Sequence, residues 1–308
     1  MTSLLLRHGV LHCSSHPFAT ALLVEDAVIS WIGDDDTAES VAARADRVIE
    51  LDGALVAPRF VDMPLGEAID ARGGAAAVRS ALDALARGQA RGAGHEDGAA
   101  SRGSGGRSTA GHSDTGGHGS IEHDAGAPAD ASHDRALRRR RLSLVVDGAV
   151  PADVLGRLVR WGITLLVDLA GPGGHEVPLA ALAREGVAYV LLPVAGESPW
   201  ETTRRAVHGL PAGHGVSARA AFRAQTRAAW RLTGDDLAGE LRVGQRAELS
   251  VWRAESVGVE DAASGVASWS TDARSGTPLL PVLGASGPLP VRELDIAGAD
   301  LVSEARRP

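Results

Sequence analysis

Over the first 60 positions, apolar residues come in short runs broken by turn-forming residues, the pattern of strands. Leu4 to Cys13, Ala21 to Ile32, and Arg47 to Leu51 followed by Leu55 to Ala57 read as a small antiparallel β unit. Between the last two runs, Asp52-Gly53 offers the positive φ that a two-residue hairpin turn requires. Gly33 and the three aspartates behind it, Asp34 to Asp36, close the second run in a polar loop. From Leu142 the period alternates. Leu142 to Val146, Ile163 to Leu169 and Val187 to Val194 read as buried strands. Pro151 to Trp161, Val177 to Glu185 before Gly186, and Pro199 to His208 read as the intervening helices. This is βαβα grammar, which implies parallel strands with helical crossovers. Ser217 then caps a longer helix, Ala218 to Leu232. Strands return at Arg246 to Arg253 and at Val291 to Ile296 and Asp300 to Val302, which flank an Ala297-Gly298 turn. A Pro/Gly-rich loop, SWSTDARSGTPLLPVLG, lies between them.

One stretch fits neither period. From Gly88 to Ala136, Gly, Ser, Ala, Asp and His dominate, and Ile121 is almost the only large apolar residue. Such a segment buries too little surface to offset its ordering entropy, so disorder is the expectation. Its five histidines, His95, His112, His118, His123 and His133, stand among carboxylates, so weak metal buffering is one role open to it.

Composition narrows the function classes. The chain has 308 residues, 44% of them hydrophobic, enough for one large or two ordinary domains. All 31 basic residues are Arg, which reads as coding bias rather than as a nucleic-acid surface. A net charge of −8 argues the same way, because phosphate contacts need a concentrated positive patch. One cysteine, Cys13, leaves no internal disulfide and fits a reducing compartment. No apolar run nears the roughly 20 residues needed to span a bilayer, and no signal segment is evident at the amino terminus. The expectation is a cytoplasmic protein that binds neither nucleic acid nor membrane.

Candidate chemistry is sparse. His12, Cys13 and His16 stand close together but supply three donors where structural zinc takes four. Asp168, late in ITLLVDL, precedes His175 and Glu176 in the loop GPGGHE, beyond the carboxyl end of a predicted parallel strand where such sheets bind ligands. A carboxylate orienting a histidine is a general-base arrangement, while turn formation and capping are the structural alternative. The glycines of AGPGGHE suggest a phosphate cradle but lack the Lys-Ser/Thr pair and the G-x-G-x-x-G spacing. His208 and His214 flank a helix-to-helix loop, and Glu197 and Glu201 suit a helix's first turn.

Three further stretches carry a resemblance. LLVEDAVISWIG with RVIELDGALVAPRFVD, then SPWETTRRAVHGLPAGHGVSARAAFRAQTRAAWRL, then AGELRVGQRAELSVW with SWSTDARSGTPLLPVL are similar in kind and order to segments of the amidohydrolase superfamily. The likeness is greatest to its branch of N-substituted formamide deformylases, and covers about half the chain. It implies a TIM-like barrel with a small β-sandwich, and zinc or another divalent metal activating water against a non-peptide carbon–nitrogen bond. In that family a His-x-His pair follows the strand ending FVD; here those positions are Pro64 and Gly66. Val145 and Val146 stand where the resemblance implies Glu and His, Glu67 where it implies a histidine, and the region of Val194 where it implies an aspartate. Without its ligands a metal cannot lower the pKa of water from about 15.7 to near 7.

The expected fold is therefore α/β, a small β-sandwich from both chain termini plus a reduced, open TIM-like (β/α) barrel fragment. The expected division is 1–59 with 240–308 for the sandwich, 60–87 with 137–239 for the barrel fragment, and 88–136 for the disordered insert. A closed barrel takes about 250 residues, whereas roughly 180 lie between Phe60 and Gly239. Removing the insert leaves room for roughly four βα units. The open sheet edges then call for helices re-packed over the sheet or for a second copy of the chain, a homodimer. No catalytic, cofactor-binding or metal-ligating residue is expected, and no cofactor. The reading is an amidohydrolase-like protein that is catalytically degenerate, with a small-molecule substrate only if active. The alternatives are a non-catalytic binding or scaffold protein associating through its sheet edges, or metal buffering by the insert.

Overall fold

The computed structural model describes residues 3–61, 68–88, 127–261, 268–270, 276–298 and 300–304. The amino-terminal part forms β1 (Ser3–Arg7), β2 (Val10–Leu11), β3 (Ala21–Glu25), β4 (Val28–Gly33), helix α1 (Asp35–Ala42), β5 (Arg47–Glu50) and β6 (Leu55–Pro58). Two of the predicted strands are each divided. Ala21 to Ile32 is the hairpin β3–β4, turning at Asp26 and Ala27, both at positive φ. Leu4 to Cys13 breaks at His8, φ 57°, and the two halves enter different sheets. One sheet has the order β4-β3-β1-β5, and β2 and β6 belong to another.

The Asp52-Gly53 pair does adopt the positive φ angles expected of it, 48° and 78°. It makes no hairpin, however: β5 pairs parallel with β1, and β6 parallel with β2. Both crossings run side by side from one sheet to the other, joined by Gly53 N–H donating to His8 O at 2.7 Å. Gly9 permits the approach, since a Cβ there would lie 2.4 Å from Leu51 Cδ1. The predicted Asp34–Asp36 loop is instead the start of α1. Asp34 is its N-cap, accepting from Thr37 N at 2.8 Å, and Ala38 is its buried contact.

The chain continues through β7 (Ala68–Asp70), α2 (Ala75–Ala86), α3 (Ala127–Arg139), β8 (Ser143–Val146), α4 (Leu155–Trp161), β9 (Thr164–Val167), α5 (Leu179–Arg184), β10 (Tyr189–Leu191), α6 (Pro199–His208), α7 (Ala218–Gln225) and α8 (Arg227–Leu232). The four strands form a parallel sheet in sequential order, β10-β9-β8-β7, and among the described residues it does not close into a barrel. One face, through Leu144, Val146, Leu165, Val167 and Leu191, joins the helical core with Val78 and Leu82 of α2, Leu158 of α4 and Leu182 of α5.

The expected disorder of 88–136 is corrected at its carboxyl end, where α3 is helical from Ala127. Leu137 anchors it in the helical core, and Asp134 accepts from Trp161 Nε1 at 2.5 Å. Composition concealed this because the anchoring contacts come from α4. The rest of the insert, with His95, His112, His118 and His123, lies outside the described residues. A second correction falls at Thr226, where the predicted helix Ala218 to Leu232 breaks into α7 and α8. Thr226 has φ −112° and ψ −92°, and its Oγ1 donates back to Phe222 O at 2.8 Å. The break lets α8 cover the other face of the sheet, where Ala229 is buried with Leu166 and Val190.

The last part supplies β11 (Glu248–Arg253), β12 (Val257–Asp261), β13 (Ser268–Ser270), β14 (Leu280–Pro281), β15 (Val291–Ala297) and β16 (Asp300–Glu304). β15 and β16 form the predicted hairpin around Ala297-Gly298. The second sheet runs β16-β15-β11-β6-β2, so it is woven from both ends of the chain. Leu4, Leu6, Leu22 and Val24 of the first sheet share one core with Leu11, Val56, Leu249, Val251 and Ile296 of the second, so the two sheets pack face to face. The predicted Pro/Gly loop contributes β13 and β14 to a three-stranded sheet, β13-β12-β14.

Candidate functional site

In a parallel sheet, side chains that follow the carboxyl ends of the strands converge on one rim. Here that rim carries Asp70 at the end of β7, Asp147 after β8 and Asp168 after β9. Each carboxylate is engaged locally. Asp70 binds Arg72, Nε to Oδ1 at 3.1 Å and Nη2 to Oδ2 at 3.0 Å, and these bonds hold its pKa below the usual carboxylate range. Asp147, 7% exposed, accepts from Gly73 N at 2.8 Å. Asp168 Oδ1 accepts from the N–H groups of Ala170 and Gly171, both at 3.0 Å.

Asp168 is therefore a turn residue. Among the described residues, no hydrogen bond joins it to His175, which is exposed and stands 3.9 Å from Glu176. The AGPGGHE glycines serve backbone packing: a Cβ on Gly173 would lie 2.6 Å from Asp147 O, and one on Gly174 2.4 Å from Leu169 O. His12, Cys13 and His16 face different partners. His12 Nδ1 donates to Leu279 O at 2.9 Å, buried Cys13 donates to Leu241 O at 3.2 Å, and exposed His16 meets Ser15 Oγ at 3.0 Å. His208 Nε2 donates to Leu283 O at 2.8 Å, while His214 Nδ1 is buried without a partner among the described residues. Glu197 and Glu201 pair with Arg205 and Arg204 around α6, and its bond with Arg205 holds Glu197 low. A carboxylate so stabilised is a weak general base.

The space beyond β10 is apolar. A cavity of about 300 Å³ there is lined by Phe60, Val61, Leu192, Pro193 and Val194, with Glu197 and Gln225 as its polar side chains. Gln225 is committed to Thr203, its Nε2 donating to Oγ1 at 2.8 Å. A larger cleft of about 460 Å³ adjoins it, between the β10–α6 loop and strands β11 and β15. The sequence contained no signal for this cleft, since Arg59, Trp252 and Arg292 come from distant segments.

Among the described residues, the donor set does not fit the divalent metal implied by the resemblance. Val145 lies on the α8 side of the sheet beside Leu166 and Val190, and Val146 points the opposite way into the helical core. Neither offers a lone pair. Pro64, Gly66 and Glu67 lie outside the described residues. Among the described residues, no three His, Cys, Asp or Glu side chains stand close enough together to hold a metal ion.

No protein-family model matches the sequence, and no curated protein matches it. Solved structures do. Triazine hydrolase from Arthobacter aurescens aligns at a TM-score of 0.54 and 13% identity, over 100% of this chain and 96% of that one. An uncharacterized metal-dependent hydrolase from Pyrococcus horikoshii aligns at 0.50 and 12% identity, over 81% of this chain and 97% of that one. At such identities the likeness speaks for architecture alone. Four parallel βα units beside a two-sheet β unit woven from both chain ends make an architecture similar to that of these two solved hydrolases.

Proposed function

We propose that this protein descends from hydrolases of non-peptide carbon–nitrogen bonds and has lost their metal-dependent catalysis. The observation that carries the reading is α8. Ala228, Ala229 and Leu232 pack against Val145, Leu166 and Val190 on the sheet face that a barrel would turn inward. A metal-bound hydroxide needs converging donors and room for a substrate, and that face is instead filled with hydrocarbon. The residue types Pro64 and Gly66 support the same reading, since neither has a side chain that ligates. Untagged protein is expected to carry no stoichiometric zinc, manganese, iron or nickel by elemental analysis. It should show no chelator-sensitive hydrolysis of an N-substituted formamide. Near-stoichiometric metal accompanied by turnover that a chelator abolishes overturns the reading.

A binding role is the second reading. It is favoured by the cleft between the β10–α6 loop and β11, whose walls carry guanidinium groups and a buried indole.

A further inference from the structure

We infer that this cleft is a binding site for a small organic carboxylate with a flat, largely apolar body. The inference extends the binding reading and makes no use of the rim carboxylates Asp70, Asp147 and Asp168. The lining consists of Arg59 and Phe60 beyond β6, Gly196 to Pro199 at the start of α6, Ser250 and Trp252 of β11, and Pro290 and Arg292 at β15. At about 460 Å³, the cleft is large enough for a single-ring ligand.

Its polar groups are mostly donors. Arg59 and Arg292 are each held from behind by a buried carboxylate that is not part of the lining. Arg59 Nη1 lies 3.3 Å from Glu248, and Arg292 Nη1 lies 3.0 Å from Asp295. Asp295 is fixed in turn by Ser250 Oγ, which donates to its Oδ1 at 2.5 Å. These anchors set the two cations in place before any ligand arrives, which lowers the ordering cost of binding. Arg292 remains about half exposed, at 49% of its side chain, and meets Asp295 through Nη1. A planar guanidinium offers five N–H donors, and two of them match the two oxygens of a carboxylate.

Trp252 supplies the second, independent observation. It lines the cleft and is 3% exposed, yet its Nε1–H is buried without an acceptor among the described residues. Buried donors left unpaired are rare in folded proteins, and because this one has no open surface, the indole must turn toward the cleft for a carboxylate or carbonyl oxygen to complete it. Phe60 stands perpendicular to the Trp252 ring, with centroids 5.7 Å apart, and Pro199 and Pro290 add apolar surface for a ring. The one carboxylate in the lining, Glu197, is neutralised by Arg205 at 2.7 Å. The amino end of the ten-residue helix α6 opens into the same wall at Ser198 and Pro199 and adds a favourable field for an anion.

The test uses benzoate, its neutral isostere benzamide, and the full-length protein. Calorimetric titration should show benzoate binding at least tenfold more tightly than benzamide. Arg292→Gln removes the charged guanidinium and leaves a shorter neutral amide, and its half-exposed position spares the core. It should weaken benzoate at least tenfold and leave benzamide unchanged. Trp252→Phe, which keeps the ring and removes the N–H, should weaken benzoate several-fold. In the ¹H–¹⁵N spectrum, the indole resonance that this substitution deletes should be the one that shifts most when benzoate is added to wild type. Equal affinity for benzoate and benzamide, an unchanged Kd in Arg292→Gln, or no detectable benzoate binding overturns the assignment.

Discussion

Replacing Trp200 with alanine is expected to remove about 3–5 kcal/mol of stability, the range for emptying a large buried aromatic site. Trp200 is 0% exposed, at the first turn of α6, where Ser198 caps the helix by accepting from its backbone N–H at 3.4 Å. Its ring stacks on Phe222 of α7 at 5.5 Å and meets Phe60 and Trp252 edge-on at 5.1 and 5.6 Å. The same cluster contains Leu55 and Ala57 of β6 and Leu280 of β14. One side chain thus joins the helical layer to two sheets, and little in that setting can collapse into the space it leaves. Trp200→Phe should cost much less, because it keeps a ring in the cluster and removes an indole N–H that is buried without an acceptor among the described residues. Urea unfolding measures both. A loss under about 1 kcal/mol in the alanine variant would place it among ordinary surface substitutions and refute this role for the ring.

The elements read correctly from sequence are those whose ends and periods are decided locally. Helix α6 spans the predicted residues, with Ser198 as its cap and Pro199 at its first position, and Ser217 caps α7 as expected. The β15–β16 hairpin follows from its turn. Elements decided by distant partners were less legible. Asp52-Gly53 adopts the backbone angles its residues favour, but which strands it joins depends on β1 and β2 running alongside. The helical period of Ala218 to Leu232 was visible. The break at Thr226 was not, because a threonine bonding back to the preceding turn leaves no mark in the hydrophobic pattern. At the site, residue types put valines and a proline at the positions where the resemblance implies ligands. The cleft escaped notice because its lining is drawn from residues 59 to 292 with no spacing that connects them.

Stability should fall as the pH drops below neutrality, by about 2 kcal/mol at pH 5 and about 3 kcal/mol at pH 4, through His12 alone. Burial pushes its pKa down from 6.5 to about 4, opposed by its bond to Leu279 O and reinforced by the charges of Arg219 and Arg223. The ring also stands edge-on to Phe222, 4.8 Å away. Because the folded pKa lies below the unfolded one, the unfolded chain takes up the proton first as pH falls. The contribution is whole above pH 6.5 and is lost between 6.5 and about 4. Other groups shift in different windows or directions: Glu50 raises the pKa of His8, and burial raises that of Glu248. A comparison with His12→Asn cancels them, since Asn keeps a donor near the Nδ1 position and cannot titrate. The variant should be less stable than wild type at pH 7, and the gap should narrow steadily as pH falls toward 5. Denaturant unfolding at half-unit intervals reads this difference, and a gap independent of pH would show that His12 titrates alike in both states.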